Sequence, residues 1–232
     1  MKIYAADCSV LKDETLFAEC FELMPESRKN AINRYKSLQD RMRSLGAGIL
    51  LNSVLAENCP EVPLPPEIDF KKDGKPFLAG FDNVHFNLSH SGTYAVCAFD
   101  ETPVGIDIER IRPVKAGITE RFFSVQEQQF SDACSKDKAK AFFAVWTRKE
   151  AFLKAVGKGL RMDLGSFSVC DRDTDFFTVY EVEQNGGKNG WFCTSMEYGE
   201  NSIISVCSQN ADFPSCVKTL NLAFTGRWSD QP

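Results

Sequence analysis

The chain has 232 residues, 43% hydrophobic and 25% charged, enough material for one large domain or two small ones. A formal net charge of −5 argues against non-specific nucleic-acid binding, and no apolar run approaches the roughly 18 residues of a membrane span. The opening MKIYAADCSV lacks a signal-peptide core, and nine widely spaced cysteines without a CxxC pair match no zinc or disulfide framework. Free thiols in a cytoplasmic protein are therefore expected.

Residues 2–6 read as a first strand, and Leu16, Phe17, Cys20, Phe21 and Leu23 give helical spacing over 13–23. Pro25-Glu26-Ser27 then breaks the chain, with Ser27 the expected N-cap of a helix over 28–36. This region is basic. Arg28, Lys29, Arg34, Lys36, Arg41 and Arg43 face one acid, Asp40, which suggests either a solvated helix face or a local anionic ligand. A longer helix follows over 39–57, where Gly46 and Gly48 permit close packing. The proline-rich 57–66 reads as loop, and Asp73-Gly74 marks a tight turn between short strands, with Lys75 beside it. A strand from Val84 leads into the polar stretch Leu88-Ser89-His90-Ser91-Gly92, and Tyr94–Phe99 is an apolar strand.

Val104-Gly105-Ile106-Asp107-Ile108-Glu109 alternates apolar and acidic residues. In a strand the apolar set enters a core, and Asp107 and Glu109 share the opposite face about 7 Å apart at the backbone. Two such carboxylates can converge on one hard cation, although a wet edge strand carries the same pattern. Helices are expected over 116–122, 125–134 and 138–156, then strands over 166–171, 176–183, 191–197 and 202–208. In the helix through Val156, Glu150 and Lys154 stand one turn apart. Lys149 falls in the apolar arc and must snorkel or meet a buried acid. Gly157-Lys158-Gly159 ends that helix.

The pattern suggests an α+β fold of two similar halves, each a small antiparallel sheet packed with helices. The expected division is 1–103, 104–210 and an irregular tail, 211–232. No nucleophile elbow, P-loop or GxGxxG is present.

Three blocks carry a resemblance. Phe86-Asn87-Leu88-Ser89-His90-Ser91, Gly105-Ile106-Asp107-Ile108-Glu109 and Trp146-Thr147-Arg148-Lys149-Glu150-Ala151-Phe152-Leu153-Lys154 resemble, in order and spacing, the signatures of the 4′-phosphopantetheinyl transferases. The match is to the long, two-halved kind that resembles the surfactin synthetase activator. Asp73-Gly74-Lys75-Pro76, Arg121-Phe122-Phe123-Ser124 and Gly157-Lys158-Gly159-Leu160 are similar too, so the resemblance runs from about Arg28 to Val169.

The resemblance implies transfer of phosphopantetheine from coenzyme A to a serine of an apo acyl or peptidyl carrier protein, releasing 3′,5′-ADP. It implies a monomer that is a pseudo-dimer of the two halves, and charge and hydropathy lead to no nucleic-acid or membrane partner being expected. Asp107, Glu109 and Glu150 would hold Mg²⁺, or Mn²⁺, and Lys154 would contact the phosphates. Arg28, Lys29, Arg43, Ser44, Lys75, Pro76, Ser89, His90 and Lys158 would bind the coenzyme. The general base would be Glu150, Glu127 or a metal-bound water. A Mg-dependent phosphoester hydrolase and a non-catalytic coenzyme A or nucleotide-binding module are the competing readings.

Overall fold

The computed structural model describes residues 1–134, 137–171 and 178–223. The first half begins with β1 (Lys2–Asp7), followed by α1 (Glu14–Glu22), α2 (Glu26–Asn33) and α3 (Leu38–Asn58). A two-stranded hairpin, β2 (Ile68–Phe70) and β3 (Pro76–Leu78), precedes β4 (His85–Ser91) and β5 (Tyr94–Asp100). The second half runs β6 (Val104–Arg110), α4 (Ile118–Phe122), α5 (Val125–Ala133), α6 (Lys138–Val156), β7 (Phe167–Ser168), β8 (Tyr180–Gln184), β9 (Gly187–Tyr198) and β10 (Ser202–Ser208). Then comes β11 (Lys218–Leu220).

Two larger sheets result, ordered β11-β1-β5-β4 and β6-β10-β9-β8-β7. In the first half, Leu45, Ile49, Leu50, Val54 and Leu55 of α3 are buried among Tyr4, Phe86 and Cys97. In the second, Ala144, Val145, Phe152 and Leu153 of α6 are buried among Val169, Val182, Cys193 and Cys207. A third core joins the halves: Ile3, Ala5, Val96 and Ala98 meet Val104, Ile106, Ile108, Ile204 and Val206. The apolar side of the alternating β6 thus seals the two sheets together.

Close approach explains Gly105. A Cβ there would stand 2.0 Å from the carbonyl oxygen of Ala151, so α6 lies directly on β6. That contact sets Glu150 and Lys154 beside Asp107. At the far end of α6, Gly157 adopts φ +74 and its N–H bonds to Leu153 O, which terminates the helix.

Several expectations change. The N-cap position of α2 is Pro25, not Ser27: its fixed φ of −66 cannot extend the preceding turn, and its carbonyl accepts from Arg28 and Lys29. Ser27 lies inside the first turn. The polar stretch 88–91 continues the strand as β4, paired throughout with β5. The strand expected over 166–171 shortens to β7, and that over 176–183 is β8, with 176 and 177 outside the described residues. Residues 211–223 are not simply an irregular tail, because β11 returns to pair parallel with β1, Tyr4 opposite Lys218. The remaining expected tail residues, with Gly226 and Pro232, lie outside the described residues. All nine cysteines are free thiols. Among the described residues no helix is long and apolar enough to cross a membrane.

Candidate active site

The edge strands β4 and β6 face each other without a backbone ladder. Side chains join them instead. Asn87 Oδ1 accepts from Ile106 N at 2.8 Å, Ser89 Oγ donates to Asp107 at 2.7 Å, and Ser91 Oγ donates to Glu109 at 2.8 Å. The partners ascend together, so the strands run the same way. Alternation places Asn87, Ser89 and Ser91 on one face of β4.

From the other side, Lys154 of α6 reaches this seam. Its Nζ donates to Asp107 at 2.7 Å, Ser89 Oγ at 3.0 Å and Ile106 O at 3.1 Å. Burial pushes the Asp107 carboxyl above the usual carboxylate range; Lys154 and Ser89 pull it back, and Glu109 adds to the rise. Glu150 is raised as well, by burial first and then by the charges of Asp107 and Glu109. It makes no hydrogen bond or ion pair among the described residues. The structure therefore brings together Asp107, Glu109, Glu150, Lys154 and Ser89.

The three carboxylates among them offer hard oxygen, and the charge of Glu109 raises Asp107 while those of Asp107 and Glu109 raise Glu150, which fits a small divalent cation. Among the described residues no three His, Cys, Asp or Glu side chains close on one point. Asp107 is held by Lys154 and Ser89, and Glu109 by Ser91 and by Arg112 at 2.8 Å.

A basic rim borders the seam. His90 is exposed at the end of β4. The protein around its ring, together with the positive charge of Arg43, Lys154 and Arg28, holds the imidazole below its ordinary pKa. Arg43 donates to Gly92 O at 2.9 Å and pairs with Asp40. Arg28 is turned inward, donating to the carbonyl of the buried Ser44 at 2.6 Å. Lys29 faces away, paired with Glu22 at 2.7 Å and Glu26 at 3.4 Å.

Lys75 and Pro76, from the first half, share a cavity of about 270 Å³ with Leu153, Lys154 and Gly157 of the second. Lys75 Nζ donates to Val104 O and Ala155 O, and burial, then Lys71, lowers its pKa to about 8. A neighbouring cavity of about 430 Å³ adds Lys71, Lys158, His85 and Trp191. The sequence reading passed over His85 and Trp191, which share no spacing with the motifs.

Glu127 is not in this site. It is fully buried on α5, where Lys149 Nζ approaches within 2.7 Å and the N–H groups of Ser124 and Val169 bond to it at 2.8 and 2.9 Å. Lys149 donates further to Leu164 O and Phe167 O. The lysine of the apolar arc thus meets a buried acid rather than snorkelling. A carboxylate enclosed by three donors has no route to a substrate proton. Asn87, Ser91 and Arg112 are site residues the sequence reading missed. The period-2 polar face of Asn87, Ser89 and Ser91 was the available signal.

Comparison with known proteins fits this geometry. A model of the 4′-phosphopantetheinyl transferase superfamily matches residues 103–207, and a 4′-phosphopantetheinyl transferase N-terminal model matches 12–102. The 4′-phosphopantetheinyl transferase ffp of Bacillus subtilis is 32% identical over 226 residues, 95% of this chain and 98% of that protein. The chain belongs to the 4′-phosphopantetheinyl transferase superfamily. Sfp of Bacillus subtilis strain 168 is 33% identical, covering 83% of this chain and 84% of its own. The transferase gsp of Aneurinibacillus migulanus is 37% identical over 68% and 70%. The border between the two family models, at residues 102 and 103, falls in the turn between β5 and β6.

Proposed function

We propose that this chain transfers the 4′-phosphopantetheine group of coenzyme A to a serine hydroxyl of an apo acyl or peptidyl carrier protein, with Mg²⁺, releasing 3′,5′-ADP. The observation that carries this is the seam itself, where β6 and α6 deliver Asp107, Glu150 and Lys154 beside Ser89 and the basic rim. In the reaction the serine oxygen bonds to phosphorus and the bond to the departing 3′,5′-ADP breaks. The acceptor brings its own nucleophile, so the chain needs none.

Asp107, Glu109 and Glu150 would hold the Mg²⁺, which when bound offsets pyrophosphate charge. Lys154 stabilises charge developing on the leaving oxygen. The serine proton would go to the Glu150 oxygen that the metal leaves free, or to a metal-bound water. Arg43 and His90 receive the 3′-phosphate, and Lys75, Pro76 and Lys158 border the adenosine end. Arg28 and Lys29 would need to leave their present partners to take part. The bound coenzyme spans both halves, and a monomer suffices.

Intact mass spectrometry of an apo carrier with this enzyme, coenzyme A and Mg²⁺ tests the reading, with EDTA as control. A carrier that gains one phosphopantetheine only with metal supports it. Coenzyme A broken down with no carrier present would make the chain a hydrolase instead. Binding without turnover across acyl and peptidyl carriers would make it a binding module.

A further inference from the structure

Glu109 is held from two sides, and the reading above uses neither holder. On β4, Ser91 Oγ donates to Glu109 Oε2 at 2.8 Å and accepts from Arg110 N at 3.1 Å. The backbone N–H orients the hydroxyl, so its hydrogen is committed to the carboxylate. On the segment after β6, Arg112 Nη1 donates to the same Oε2 at 2.8 Å and to Arg110 O at 3.0 Å. Its guanidinium lies 4.8 Å from the centre of the Phe143 ring.

We infer that Ser91 and Arg112 are positioning residues of opposite sense. Ser91 fixes Glu109 for a divalent cation, and Arg112 is a resident counter-ion that the cation displaces. The inference rests on the metal-dependent reading of the same carboxylates. A carboxylate offers about four lone-pair directions, so one hydroxyl hydrogen bond and one metal ion coexist on it. A guanidinium and a metal ion compete, because both bring positive charge to one oxygen.

Exposure favours exchange. The Arg112 side chain is 54% exposed and that of Glu109 23%, so the pair dissolves into water at little cost. Arg112 then keeps its carbonyl and aromatic contacts. The hydroxyl of Ser91 has no such freedom, since the two strands it bridges are fixed by the core between the sheets. A cation side chain already sits on each of Asp107 and Glu109.

Titration with Mn²⁺ alone, read by the loss of the free-ion electron paramagnetic resonance signal, tests the pair without any turnover. Wild type should bind one ion. Arg112→Ala should bind it about 1.5- to 5-fold more tightly, the value of a partly exposed ion pair, and Arg112→Lys should stay near wild type. Lys115→Ala removes the same charge from the same segment without touching Glu109, and should change nothing. Ser91→Ala should weaken binding by about tenfold, as loss of a ligand-orienting bond does, and Ser91→Thr should restore it. Unchanged or weaker binding in Arg112→Ala, equal tightening in Lys115→Ala, or no loss in Ser91→Ala overturns the inference alone. A wild-type chain that takes up no Mn²⁺ overturns both the inference and the metal reading beneath it.

Discussion

Replacing Glu127 with Gln separates a structural acid from a catalytic one. Glu127 and Lys149 are both fully buried and 2.7 Å apart. The carboxylate accepts from two backbone N–H groups and the ammonium, and the ammonium donates to two carbonyls and the carboxylate. Together they pin the start of α5, the interior of α6 and the segment around Leu164–Val169. Glu127→Gln keeps the shape but leaves an ammonium ion buried beside a neutral amide. Removing one partner of such a pair costs about 3–5 kcal/mol. For a chain of this length each kcal/mol shifts the thermal midpoint by about 2–4 °C, so a fall of about 6–20 °C is expected by scanning calorimetry.

Two companion measurements sharpen this. Glu127→Gln assayed in the cold, well below its lowered transition, should turn over carrier protein at close to the wild-type rate, because the seam lies on the opposite side of α6. Lys149→Met added to Glu127→Gln should regain part of the lost stability, since no charge then remains buried. A Glu127→Gln protein that melts with the wild type yet has lost turnover would refute the reasoning and return Glu127 to the role of base.

Gly105→Ala should lower the unfolding free energy by about 3 kcal/mol, read as a lower urea midpoint, because the new Cβ meets the backbone of α6 rather than a side chain that can swing away. Lys154→Ala should lower kcat by about 10²-fold or more while the KM for coenzyme A moves less, the split expected of a group that acts on developing charge; a raised KM with kcat unchanged would mark it as a binding residue. Lys75 contributes a pH dependence. Its pKa falls from 10.5 to about 8 on folding, so between those values the unfolded chain binds more protons and stability rises with pH through that window. Wild type should gain about 1–2 kcal/mol on Lys75→Gln across it, allowing for partial exposure, and a flat difference in denaturation curves would contradict this. Asn87→Leu should cost about 1–3 kcal/mol by orphaning the buried Ile106 N–H, and should lower turnover with it; a loss of stability with turnover intact would mean the seam tolerates a shift.

Much of this was legible in the chain because period and position carry it. The alternation of Val104 to Glu109 gives β6, its buried face and its acidic face together. The spacing of Phe142 to Val156 gives most of α6, and the odd lysine in its arc left two choices, snorkelling or a buried acid, of which the fold takes the second. What could not be read were long-range choices. Nothing local distinguishes Glu127 as a core ion from Glu127 as a base, since the difference lies in Lys149 and Val169, far along the chain. The same is true of β11, three residues whose strand character exists only because β1 offers an unpaired edge. Arg28 and Lys29 belonged to a basic run, but which way each side chain turned depended on Ser44 and Glu22.

The seam shows why such a site is built between two halves rather than within one. A backbone ladder between β4 and β6 would have consumed their edges in uniform hydrogen bonds and left no polar group to spare. Joined by Asn87, Ser89 and Ser91 instead, the strands are held at side-chain distance, and the hydroxyls that hold them also orient the carboxylates. Position is therefore coupled to charge. Any ligand that draws Asp107 from Ser89 or Glu109 from Ser91 also loosens the contact between halves, and any ligand that spans Lys75 and Lys154 tightens it. A donor substrate that does both, through its phosphates and its adenosine end, would meet a seam able to adjust at the carboxylates while the apolar core behind β6 keeps the two sheets in register.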